Sequence, residues 1–194
     1  TYSSSSVLFS GNWYKIGVTQ EGIYKIPYSF LQSIGIDVAT INPQNIRIYG
    51  NGGAMLPLQN SQYRPDDLHE NAIFVSGEND GKFDAADFIL FYGQSPNRWS
   101  WSASDNFFKH QQNYYSDTNY YFITTDWGVG KRISSQPSLP SFNTVVNSFD
   151  DYDFYEKDLI NPIRSGREWL GETFSAVTDY NFIFAFPNLS SETP

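Results

Sequence analysis

The residues best suited to chemistry lie in one acidic stretch, "SGENDGKFDAAD", from Ser76 to Asp87. Aligned with a twelve-residue calcium loop, it offers Glu78, Asp80, the backbone carbonyl of Lys82, Asp84 and Asp87 as oxygen donors, with Gly81 where such a loop turns sharply. Calcium is the one cofactor these residues point to. Ser76 stands where the first Asp is usual, and Asp87 is shorter than the bidentate Glu that normally closes the loop. The competing reading is a metal-free hairpin whose turn is "NDG", with Asp80 and Gly81 in left-handed positions. The sequence favours the hairpin and keeps calcium as the alternative.

The remaining polar clusters carry less chemistry. His69 and His110 are far apart in sequence, and no GxSxG elbow or second histidine at ligand spacing accompanies either, so structural roles are expected for both. "RPDDLHEN" gathers Arg64, Asp66, Asp67, His69 and Glu70; it reads as a loop knotted by Arg-carboxylate contacts or by an acidic cap rather than as a pair of hydrolytic acids. "YGNGGAMLP" lacks the lysine of a phosphate loop and is expected to be a tight turn. Trp99 and Trp101 fall on one face if their stretch is a strand. Core packing explains that spacing first; a stacking platform for sugar rings is the alternative.

The elements that must position these residues follow from composition and pattern. A chain of 194 residues, 40% apolar, is long enough to bury its own core. Twelve basic residues against 21 acidic ones, a net charge of -9, exclude a phosphate backbone as a natural partner. No stretch is long and apolar enough to span a bilayer as a helix, and "TYSSSSVLFSG" is not a signal peptide, so export implies a signal already removed. The absence of cysteine excludes disulfides and a cysteine nucleophile within these residues.

Period-two alternation predicts strands in "NWYKIGV" and "IYKI", read as a hairpin around "TQEG", and in "NIRIYG". "PYSFLQSIGI" predicts a short helix. "NAIFVSG" and "DFILFYG" predict strands buried on both faces, with more at Arg98 to Ser102, Tyr120 to Thr125, Phe149 to Tyr155 and Asp179 to Phe186. Many short strands with one or two short helices predict a mainly β fold, an antiparallel sandwich or jelly-roll-like arrangement. The linker-like "SSQPSLPSFN" divides a β-rich domain over 1–135 from the start of a second β-rich subdomain over 136–194. The ending at "PNLSSETP", directly after a strand-like run, predicts an incomplete subdomain truncated at the C-terminus.

The ordered motifs "SGNWYKIGVTQEGIYKI", "IRIYGNGGAMLP", "RPDDLHENAIFV", "DGKFDAADFILFYG" and "NYYSDTNYYFIT" resemble the N-terminal region of the type IX secretion system sortases of Bacteroidetes, which are gingipain-like cysteine peptidases. The resemblance is strongest from Val7 to Thr125, and it rests on the number and order of the motifs. It implies an exported protein at the cell surface or outer membrane, whose catalytic cysteine and histidine lie in a downstream domain. It further implies that this region is non-catalytic and that it docks to, or supports, the peptidase domain and outer-membrane proteins of the secretion system. A carbohydrate-binding module using exposed Trp and Tyr is the alternative expectation, with a glycan as its partner.

Overall fold

The computed structural model describes residues 3–149, 151–164, 166 and 168–189. The chain divides into two units, Thr1–Ser135 and Gln136–Pro194. The fold is mainly β and antiparallel, as the alternation predicts.

In the first unit, strand β1 (Tyr14–Val18) buries Ile16 and Val18 and leaves Lys15 and Gly17 outside. It pairs with β9 (Asn119–Thr124), where Tyr121 and Ile123 are buried and register opposite Ile16 and Tyr14. The other edge of β9 pairs with β3 (Arg47–Tyr49), and β3 with β4 (Glu70–Asn71). A second sheet has β6 (Phe88–Gly93) at its centre, between β2 (Gly22–Pro27) and β5 (Phe74–Val75). Period-two burial on each strand aims both sets of apolar side chains inward, where they form one core. The ring of Phe91 meets that of Tyr121 edge-on at 5.2 Å between centroids, and the Gln94 N–H donates to the Tyr121 hydroxyl at 2.9 Å. This contact joins the sheets.

Two expectations are corrected. The "TQEG" segment does not close a hairpin, because β1 and β2 lie in different sheets and the segment carries the chain across the edge of the sandwich. An alternating strand advertises which face it buries and not which neighbour it pairs with. Strand β6 is also not buried on both faces: Ile89 and Phe91 are inside and Tyr92 is exposed. Its outer face is covered in part by the Lys25 ammonium over the Phe88 ring, 4.2 Å from the centroid, and by Phe74.

The single α-helix among the described residues, α1 (Tyr28–Ser33), starts after Pro27 and buries Leu31 completely. It ends where Gly35 turns left-handed at φ +93°. Among the described residues, strands β7 (Arg98–Ser102) and β8 (Phe107–Gln111) pair only with each other, forming a two-stranded ribbon.

The second unit carries far less regular structure. Its one described bridge joins Ile160 and Leu170, with hydrogen bonds of 2.7 and 3.0 Å between their backbones. The strands predicted at Phe149 to Tyr155 and Asp179 to Phe186 do not form among the described residues; Asp150 lies outside them. A strand exists only as part of a ladder, and these segments meet no strand to pair with among the described residues.

Candidate functional site

The acidic stretch folds as a long closed loop between β5 and β6. The Ser76 N–H donates to the Phe88 carbonyl at 2.9 Å, so the two-residue "NDG" hairpin is replaced by a wider connection. Glu78 to Asp80 form one 3-10 turn, and the left-handed positions are Gly77 (φ +76°) and Gly81 (φ +77°), not Asp80. Three of the four acids, Glu78, Asp80 and Asp87, have a protein donor on the carboxylate, while Asp84 takes part through its backbone N–H. Glu78 Oε2 accepts from Arg132 Nε at 2.7 Å, and that guanidinium also donates to the carbonyls of Pro43, Gln44 and Ile46. Asp80 Oδ1 accepts from the Lys82 N–H at 2.9 Å, and Asp87 Oδ2 from the Asp84 N–H at 2.7 Å. A side chain at residue 77 would collide with Asp87, its Cβ 2.0 Å from Oδ1. Among the described residues, no group of three or more His, Asp or Glu converges as a metal set.

The "RPDDLHEN" acids hold remote segments. Asp67 accepts from the Ser6 hydroxyl (2.8 Å), the Val7 N–H (2.5 Å) and the Leu68 N–H (2.8 Å), so it pins the short N-terminal 3-10 turn Val7–Phe9. Partial burial pushes its carboxyl up, but these hydrogen bonds together outweigh that and hold it below the usual carboxylate range. Asp66 accepts from the Ser3 N–H, and Glu70 pairs with Arg47 at 3.5 Å and accepts from the Lys131 N–H. Arg64 differs from expectation: it donates to the Pro57 carbonyl and the Asn60 side chain, not to a carboxylate.

The glycine segment after β3 is a close-packed wall. A Cβ at Gly50 would fall 2.4 Å from the Tyr121 ring, one at Gly52 1.9 Å from Gln94 Oε1, and one at Gly53 1.7 Å from the Ser95 carbonyl. Beside it run two open cavities of about 320 and 280 Å³ that share Asn51 and Gln94 and together make a polar trough. The first is bordered by His69, Asn71 and Tyr92, the second by Glu21, Asn97, Arg98 and Trp99. The Tyr92 hydroxyl donates to Glu21, and that bond raises the phenol's pKa.

Trp99 and Trp101 do share one face of the β7–β8 ribbon, opposite His110 and Phe108, with ring centroids 4.8 and 5.1 Å apart across the pairs. Trp101 is 52% exposed, so core packing does not account for it. His69 lies at the trough and His110 in the ribbon, so the two histidines serve separate places. The trough itself escaped sequence reasoning: its lining comes from five separated segments, around Glu21, Asn51, His69, Gln94 and Tyr121, and no single motif joins them.

No family model matches the chain, and no curated protein matches it. Among solved structures, the chain is similar to the crystal structure of dimeric latent PorU from Porphyromonas gingivalis, at 26% identity with a TM-score of 0.52. The likeness is to a type IX sortase. It covers 68% of this chain and 11% of the PorU chain. The match therefore spans about a tenth of the length of the PorU chain. Among the described residues, no helix is long and apolar enough to cross a membrane.

Proposed function

We propose that the chain is a non-catalytic β-rich region of a sortase-like cysteine peptidase of the type IX secretion system, serving to dock or support a gingipain-like catalytic domain at the cell surface or outer membrane. One observation carries the docking role. In Gln136–Pro194 no described hydrophobic side chain is buried, whereas Trp169, Phe174, Phe182 and Ile183 are all exposed, Ile183 at 93%. Exposed apolar surface on this scale marks an interaction face. The likeness to PorU supports the choice of system, and the absence of cysteine from these 194 residues is compatible with a region that does not carry a cysteine peptidase's nucleophile.

The test is to read the frame beyond Pro194 and to assay this chain and the longer polypeptide on a peptidase substrate. A cysteine-peptidase domain that alone carries activity is expected. Activity in the 194-residue chain, or a frame without such a domain, overturns the proposal. A second reading, carbohydrate binding, is favoured by the exposed Trp101 beside Trp99 on one ribbon face.

A further inference from the structure

We propose that the trough between the glycine wall and Gln94–Trp99 is a binding site for a neutral oligosaccharide. The inference rests on the carbohydrate reading above and moves its site from the ribbon face to the trough. Two adjoining cavities that meet at Gln94 suit a chain of at least two sugar rings better than a single small ligand. Their polar groups are mostly uncharged and come in the donor and acceptor types that vicinal hydroxyls require. Asn71 spends its Nδ2 on the Gly50 carbonyl, which keeps Oδ1 as an acceptor; Asn97 spends Oδ1 on the Asn113 N–H, which keeps Nδ2 as a donor. The Gln94 carboxamide supplies both, and it occupies the space that a Cβ at Gly52 would take. The glycine at residue 52 is thus what keeps that amide in the trough.

An aromatic side chain lines each cavity, Tyr92 in one and Trp99, which also packs on His110, in the other. Such rings cover the C–H faces of a sugar while the amides take its hydroxyls. Charge argues against a polyanion. Among the described residues Arg98 is the one cation that lines the second cavity, Glu21 is a carboxylate in the same lining, and the whole chain carries a net charge of -9.

The experiment titrates the full 194-residue chain by calorimetry with neutral trisaccharides (maltotriose, mannotriose, chitotriose and xylotriose) and with trigalacturonate. It then repeats the titration with Q94A, N97A and W101A, each checked for an unchanged melting midpoint; N97A stands in if Q94A melts early. At least one neutral trisaccharide is expected to bind, with affinity falling about tenfold or more in Q94A and holding in W101A. Loss in W101A with Q94A and N97A unaffected overturns the trough and leaves the carbohydrate reading standing on the ribbon. Preference for trigalacturonate overturns the neutral ligand class. No binding of any trisaccharide at about 10 mM overturns trough and carbohydrate reading together.

Discussion

Asp67 is the residue on which the N-terminal segment depends, since three hydrogen bonds from Ser6, Val7 and Leu68 end on its carboxylate. Replacing it in D67N is expected to cost about 1–3 kcal/mol in urea unfolding near neutral pH. The sign with pH follows from its lowered pKa. The carboxylate's contribution is present above the unfolded value and is lost as pH falls through the folded one, so wild type and D67N should converge in strong acid. A gap that stays constant to pH 2 would refute this role. The glycines make a steric prediction. With its Cβ 1.7 Å from the Ser95 carbonyl, G53A should lose more than about 2 kcal/mol, because backbone on both sides would have to move. In the acidic loop, Glu78, Asp80 and Asp87 already accept hydrogen bonds from the protein. Addition of calcium to about 1 mM is therefore expected to leave the melting midpoint unchanged; a rise of several degrees would restore calcium to this loop.

At the scale of elements, β6 is the strand that the core is built around. Phe91 touches Tyr24 in its own sheet and Tyr121 in the facing one, so F91A should cost about 3–5 kcal/mol by leaving a cavity between the sheets. I23A, on the neighbouring β2 but 74% exposed, should stay within about 0.5 kcal/mol. Parallel urea titrations of the two variants check both, and equal losses would contradict the inner and outer faces assigned to the second sheet. The same elements show what a sequence can reveal. Pro27, Leu31 and Gly35 mark the start, buried face and stop of α1, because each acts within one helical turn. The pairing of "NAIFV" with "FILFYG" was legible too, though the connection between them was not a two-residue turn. The corner between β1 and β2 was hidden, because pairing is decided by whichever distant strand completes the core, here β9 and β6. For the same reason the trough was hidden: Asn51, Asn71, Gln94 and Asn97 become neighbours only through the two sheets.

For the whole molecule, the contrast between the two units carries the functional account. Thr1–Ser135 closes its own core, with Ile48, Ile73, Ile89 and Ile123 fully buried. Among its described residues Gln136–Pro194 does not: aromatic side chains touch one another, as Tyr155 and Phe182 do at 4.3 Å, yet they stay open to water. Under the proposed docking role, the contacts this unit lacks would be supplied by another domain or chain. Amide hydrogen exchange over residues 151–189 tests this directly, comparing the 194-residue chain alone with the same residues in the longer polypeptide that the proposed function requires. The account predicts fast exchange in the chain alone and at least about tenfold slowing in the longer polypeptide, from backbone amides that become paired and covered. Equally fast exchange in both would contradict it.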